Sequence, residues 1–195
     1  SLSFKVFSRR WGEIVEFKVN LLGEHWAQNI LMVAIVAKEI LGMTLDEIAR
    51  VCQKIKPEQQ GMRLLKGFEG LNIIDSTYSA NPDGVISHLE YLKIWQGRKI
   101  IVMPCLIELG QASKEVHRKI GQKIGEVCDL AIITTKERLR EIRDEAIKSG
   151  MKKENILFLE DPKEIFKKIK SFCKEGDIVL LESRVPAQLI SSLIK

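Results

Sequence analysis

Leu71-Asn72-Ile73-Ile74-Asp75-Ser76-Thr77-Tyr78-Ser79-Ala80-Asn81-Pro82-Asp83 passes from a short apolar run, through a polar turn, into the opening of a helix. The run Leu71–Ile74 reads as a buried strand that ends in Asp75. Pro82 suits the first helical turn, where its missing N–H costs nothing, and Asn81 stands where a side-chain oxygen caps that turn. The same alternation continues to the end of the chain. Further apolar runs lie at Ile100–Met103, Leu130–Ile133, Ile156–Leu159 and Ile178–Leu181. Helical stripes separate them: Val116, Ile120, Ile124 and Val127; then Leu139, Ile142 and Ala146; then Ile165, Phe166, Ile169, Phe172 and Cys173. Asp161, Pro162 and Glu164 supply an N-cap, a first-turn proline and an acid at the third helical position.

Apolar strands that alternate with helices of this length imply an α/β domain, a doubly wound and mostly parallel sheet covered on both faces. Such sheets bind ligands beyond the carboxyl ends of their strands. Chemistry is therefore expected on the loops after Ile74, Met103 and Ile133.

Upstream of Lys56 the pattern differs. Val15, Phe17 and Val19 alternate with polar residues, as a half-buried strand requires, and the region reads as two short strands followed by two helices. From Trp26 to Leu41 apolar residues fall on almost every face, which predicts a deeply buried helix. Thr44 and Glu47 have the spacing of a capping box and start a second helix that carries Leu45, Ile48, Ala49 and Cys52. Pro57–Gly61 (PEQQG) reads as a linker, which places a boundary between a first region over 1–60 and a second over 61–195.

Composition narrows the function classes. Hydrophobic residues at 45% and charged residues at 29% suit a folded globular chain. No apolar run is long enough to span a bilayer, and the opening residues lack the apolar core of a signal peptide. Cys52, Cys105, Cys128 and Cys173 are scattered, with no paired spacing and no histidine at ligand spacing. They read as small buried hydrophobes of a cytoplasmic protein, and no metal site is expected. Much of the net charge of +5 comes from Lys163, Lys167, Lys168, Lys170 and Lys174 on one helical segment. Without interleaved aromatics these read as a solvated face, and no nucleic-acid partner follows.

Four stretches carry polar residues where ligands are expected. Gly23-Glu24-His25-Trp26-Ala27-Gln28-Asn29 lies at a strand-to-helix junction and is equally readable as turn and capping chemistry. Asp75 can accept hydrogen bonds from ribose hydroxyls or organise an Asx-turn. Pro104 to Gly110 (PCLIELG) places Glu108 on a loop that leaves a strand, with His117 on the following helix. Arg63 offers a planar fork of donors suited to phosphate or carboxylate. There is no G-x-x-x-x-G-K-[ST] loop and no G-x-G-x-x-G turn.

Taken in order, G-x-H-x-x-x-N, Arg63, an Asp-ending strand leading into Tyr78-Ser79-Ala80-Asn81-Pro82, then Glu108-Leu109-Gly110 with a later histidine, the chain resembles the Mur ligase family from about Phe4 to its end. Within that family it is most similar to members that add D-alanyl-D-alanine to a UDP-muramyl tripeptide. The resemblance implies that residues 1–60 are the end of the central ATP-binding domain and 61–195 the C-terminal Rossmann-like domain. It implies nucleotide contacts by His25, Asn29, Arg63 and Asp75. Tyr78, Asn81, Glu108 and Arg184 are implied substrate contacts. The reaction implied is ATP-driven amide formation through an acyl phosphate in cell-wall precursor synthesis, with Mg2+ and the phosphate loop supplied by upstream sequence. The chain alone is expected to be inactive and to hold no bound cofactor. Three departures stand out: Asp75-Ser76 where relatives carry two acids, Pro104-Cys105-Leu106 where many carry Gly-Asp-Met, and Glu182-Ser183-Arg184 where Gly-Ser-Arg is usual. Other readings stay open: a ligase of the same superfamily for another amino acid, for folylpolyglutamate or for an archaeal wall polymer, or a non-catalytic interaction module with this fold.

Overall fold

A computed structural model describes residues 2–56 and 62–194. The chain divides into two compact units, Ser1–Met62 and Arg63–Lys195. The expected linker at 57–61 lies outside the described residues.

In the first unit, β1 (Leu2–Ser8) and β2 (Glu13–Val19) form an antiparallel ribbon, followed by α1 (His25–Leu41) and α2 (Leu45–Cys52). Phe17 and Val19 of β2 pack with Ile30, Ala34 and Ala37 of α1 and with Leu45, Ile48 and Ala49 of α2. The capping box forms as its spacing requires: Thr44 Oγ1 accepts from the Glu47 N–H, and the Glu47 carboxylate accepts from the Thr44 N–H. The expected deep burial of α1 is not found. Met32, Val33, Val36, Ile40 and Leu41 are exposed, and only Ile30, Ala34 and Ala37 are buried. A two-stranded ribbon covers one side of a helical cylinder, so the remaining apolar faces of α1 have no cover among the described residues of this unit.

The second unit is built on a six-stranded sheet. Its strands are β3 (Arg63–Lys66), β4 (Asn72–Ser76), β5 (Lys99–Met103), β6 (Leu130–Ile133), β7 (Ile156–Phe158) and β8 (Ile178–Glu182), in the order β3-β4-β8-β5-β6-β7. All neighbours run parallel except β3, which pairs antiparallel with β4. The helices are α3 (Pro82–Leu92), α4 (Ser113–Val127), α5 (Leu139–Lys148), α6 (Pro162–Phe172) and α7 (Ala187–Ile194). Strand residues of one parity, including Ile73, Ile100, Val102, Val179 and Leu181, pack on Ile165 and Ile169 of α6 and on Leu189 and Leu193 of α7. The other parity faces α3, α4 and α5, as a doubly wound sheet requires. Gly121 brings α4 against α5: a side-chain carbon there would collide with the backbone of Ile142.

The capping expectations hold. Asn81 Oδ1 accepts from Gly84 N–H at 2.8 Å and Asp161 Oδ1 from Lys163 N–H at 2.9 Å, with Pro82 and Pro162 opening their helices.

Candidate functional site

The loops leaving β4, β5, β6 and β8 surround a cleft of about 630 Å³ at the carboxyl edge of the sheet. Tyr78, Ser79 and Ala80 form one wall, and Pro104 to Glu108 form another. Thr135 and Glu137 lie on a third side, and Ser183 with Arg184 on the fourth. Of the predicted substrate contacts, Tyr78, Glu108 and Arg184 meet here. Asn81 does not line the cleft; its side chain is occupied in capping α3.

Backbone geometry holds these walls. Cys105 N–H donates to Thr135 Oγ1 at 2.8 Å, and Thr134 N–H donates to Met103 O at 2.9 Å, which stitches the loops after β5 and β6 together. His117, fully buried in α4, reaches under the same loop and accepts from Leu106 N–H at Nε2 (2.9 Å). Its other ring nitrogen lies 2.6 Å from Ser113 O and must donate to it, which fixes the neutral Nδ1–H tautomer. Burial pushes the imidazole below its usual pKa range. Glu108 and Ser183, on two walls of the cleft, have φ of +61° and +62°, a region that side-chain-bearing residues rarely adopt. Strain of this kind persists only where surrounding bonds over-determine it.

The cleft presents carboxylates at Glu108 and Glu137 and a guanidinium at Arg184. The Glu137 carboxyl is held below its usual range by its own backbone N–H and by the Thr135 hydroxyl, so it is charged at neutral pH. Two anionic groups and one cationic group around a half-apolar cavity suit a small zwitterion.

Among the predicted nucleotide contacts, Arg63 and Asp75 are register partners of β3 and β4, and Arg63 Nη2 lies 2.5 Å from Asp75 Oδ2. Asp75 Oδ1 accepts from the Thr77 hydroxyl at 2.7 Å and from its N–H at 3.2 Å, an Asx-turn. The carboxylate is therefore buried and already engaged at both oxygens. Arg63 Nε is buried with no hydrogen-bond partner among the described residues. In the first unit, His25 and Asn29 stand one turn apart on the same face of α1, Asn29 exposed and His25 half-buried. Gly23, at φ +102°, makes room for His25, since a side-chain carbon there would fall 2.6 Å from Cε1 of its ring. Among the described residues no group of three or more His, Cys, Asp or Glu side chains is placed to hold a metal ion, and no helix is long and apolar enough to cross a membrane.

Sequence reasoning did not foresee Thr135 and Glu137 on the cleft, nor the pairing of Arg63 with Asp75. That pairing follows from the register of β3 on β4, which sets Arg63 opposite Asp75.

Residues 62–184 match the family model described as Mur ligase, glutamate ligase domain. Among curated relatives, the UDP-N-acetylmuramoyl-tripeptide–D-alanyl-D-alanine ligase of Bacillus subtilis is 24% identical over 169 residues, covering 86% of this chain and 36% of its own length. The UDP-N-acetylmuramoylalanine–D-glutamate ligase of a Thermoanaerobacter strain is 26% identical over 164 residues, covering 84% and 34%. The crystal structure of MurF ligase from Thermotoga maritima in complex with ADP superposes with a TM-score of 0.76 at 24% identity, over 97% of this chain and 42% of that one. The chain thus spans little more than a third of the length of these curated relatives.

Proposed function

Because the chain belongs to the Mur ligase family, we propose that it is the amine-substrate part of a cytoplasmic, ATP-dependent ligase that adds D-alanyl-D-alanine to a UDP-muramyl tripeptide in peptidoglycan precursor synthesis. The observation that carries this reading is the cleft at the carboxyl edge of the sheet. There Glu108 and Glu137 offer acceptors for an ammonium, and Arg184 offers a fork for a carboxylate. A zwitterionic dipeptide needs both. Similarity to the D-alanyl-D-alanine ligase of Bacillus subtilis supports the dipeptide, while similarity to a D-glutamate ligase makes a single amino acid the natural competitor.

Amide formation by this route needs the acceptor carboxylate converted to an acyl phosphate and the amine delivered to it, deprotonated and aligned. This chain performs the second task. Glu108 and Glu137 draw the ammonium end of the dipeptide toward the loops after β5 and β6. Arg184 fixes the far carboxylate, and Tyr78 supplies one apolar wall. His117 keeps the loop bearing Glu108 in register through Leu106 N–H.

For the nucleotide, His25 and Asn29 on α1 offer a ring and an amide side by side, and Arg63 offers a cationic group whose buried Nε has no hydrogen-bond partner among the described residues. Asp75 aims Arg63. For it to hold ribose as well, a hydroxyl would have to displace Thr77 from Oδ1. ATP, when bound with Mg2+, supplies the phosphoryl group that activates the acceptor. The phosphate loop and the metal ligands are assigned to upstream sequence, so the isolated chain is expected to be inactive.

The test is ADP release by the protein extended through its native reading frame, supplied with ATP, Mg2+, UDP-muramyl tripeptide and candidate amines. D-alanyl-D-alanine should support turnover well above D-glutamate or diaminopimelate, and Arg63→Ala should depress it. Preference for a single amino acid would replace the substrate. A reading frame that opens at residue 1, with no phosphate loop, would favour a non-catalytic module.

A further inference from the structure

Two segments meet where the loops after β5 and β6 wall the cleft. One runs from Cys105 to Ser113 and carries Glu108; the other runs from Thr135 to Arg138 and carries Glu137. Hydrogen bonds join them at both ends. At the first end, Cys105 N–H donates to Thr135 Oγ1 at 2.8 Å, and the Cys105 thiol donates to Thr135 O at 3.7 Å. The same sulfur accepts from Arg138 N–H at 3.4 Å. At the second end, Arg138 Nε–H donates to Ser113 Oγ at 3.1 Å. Each carboxylate therefore sits on a stretch that is tied down on both sides of it.

The tied residues belong to the stiff parts of the unit. Thr135 follows β6, where Thr134 N–H continues the ladder by donating to Met103 O at 2.9 Å. Ser113 opens α4, and its carbonyl accepts from the buried His117 ring. Arg138 stands at the start of α5, where its carbonyl accepts from Ile142 N–H at 3.1 Å and its guanidinium donates to Glu141 at 3.3 Å. The two helices meet closely, since a side-chain carbon at Gly121 would collide with the Ile142 backbone.

The cations beside Glu137 in the chain are turned to other partners. Lys136 lies over the Phe158 ring at 4.7 Å, and Arg138 is engaged with Ser113 and Glu141. The Glu137 carboxylate accepts instead from its own N–H and from the Thr135 hydroxyl. Thr135 thus joins both sides: its oxygen accepts from the Glu108 loop, and its hydrogen goes to Glu137. Glu108 itself holds a left-handed backbone, at φ +61°, which persists only where surrounding bonds over-determine it. The bonds at Cys105 and Ser113 flank it on either side.

We propose that Thr135 and Arg138 are positioning residues, a brace that fixes the spacing of the two carboxylates, Glu108 and Glu137, that draw in the ammonium of the amine substrate. The ammonium rests on the reading of the cleft given above; the brace itself does not.

The test has a ligand-free arm and a binding arm, both on the labelled 195-residue chain. Without ligand, amide hydrogen exchange at Cys105 should be slow in the wild type and in Thr135→Ser. It should be fast in Thr135→Val, which keeps the branched shape but removes the acceptor. The Arg98 amide, held by Asp177 Oδ1 at 2.8 Å, should stay protected throughout and so report an intact fold. On titration with D-alanyl-D-alanine, Thr135→Val and Arg138→Met should each weaken binding several-fold, and Thr135→Ser should match the wild type. Combined with Glu137→Gln, Thr135→Val should cost much less than it does alone, because its effect runs through the placement of that carboxylate. A Cys105 amide that exchanges equally fast in wild type and Thr135→Val, unchanged affinity in both brace variants, or losses that add in full would each overturn the proposal. A protected Cys105 amide in a chain that binds no dipeptide would remove the substrate reading and leave the brace standing.

Discussion

Replacing His117 by alanine tests how the Glu108 wall of the cleft is held. The ring is fully buried and makes two hydrogen bonds: Nε2 accepts from Leu106 N–H at 2.9 Å and Nδ1–H donates to Ser113 O at 2.6 Å. Alanine leaves the buried Leu106 N–H without an acceptor, which costs about 1–3 kcal/mol. The ring-sized void adds a cavity penalty, for a total of about 3–4 kcal/mol. With a urea m-value of about 2 kcal/mol/M, the unfolding midpoint of the second unit should fall by about 1.5–2 M near pH 7.5. The difference should also depend on pH. Burial lowers the folded-state pKa of His117, so the unfolded chain takes up its proton first as pH falls. The stabilisation is complete above the unfolded value of about 6.5 and is lost as pH drops toward the lower folded value. Wild type and variant should therefore converge on acidification. The measurement is urea unfolding at several pH values, followed through amide signals of the second unit. A midpoint shift below about 0.5 M, or a difference that grows as pH falls, would refute the reasoning.

Two other outcomes follow from packing. Gly121→Ala puts a methyl group against the Ile142 backbone where α4 meets α5, and overpacking of this kind costs about 1–3 kcal/mol, readable as a lowered thermal midpoint. In the first unit, Val33, Val36 and Ile40 stand on one exposed face of α1, so the isolated chain should self-associate in light scattering, and lysines at these positions should abolish the association. A monodisperse wild-type monomer would contradict this.

Much of the second unit could be read from period alone. The five apolar runs became β4 to β8, because strands buried on both faces need continuous apolar sequence. The caps at Thr44, Asn81 and Asp161 were equally legible, since each depends on residues within three positions of itself. Strand order was not. Nothing in Ile178–Glu182 says that the last strand inserts between β4 and β5, yet that insertion makes Ser76 and Glu182 neighbours. The edge strand Arg63–Lys66 escaped notice because a short half-exposed segment has too few alternations to stand out. Its register then decided the fate of Asp75, which meets Arg63 across the ladder. The burial of α1 was over-read because apolar residues on every face report what a helix needs to bury, and the two-stranded ribbon of this unit covers only one side.

The central claim is that the cleft between Tyr78, Glu108 and Arg184 receives a zwitterionic dipeptide. Titrating the labelled chain with D-alanyl-D-alanine, alongside D-glutamate and diaminopimelate, tests it without any need for turnover. The account predicts saturable shifts confined to the Tyr78–Ala80, Pro104–Glu108, Thr135–Glu137 and Ser183–Arg184 segments. They should be strongest with the dipeptide and lost in Arg184→Ala. Shifts scattered over other surfaces, or equal in Arg184→Ala, would contradict it.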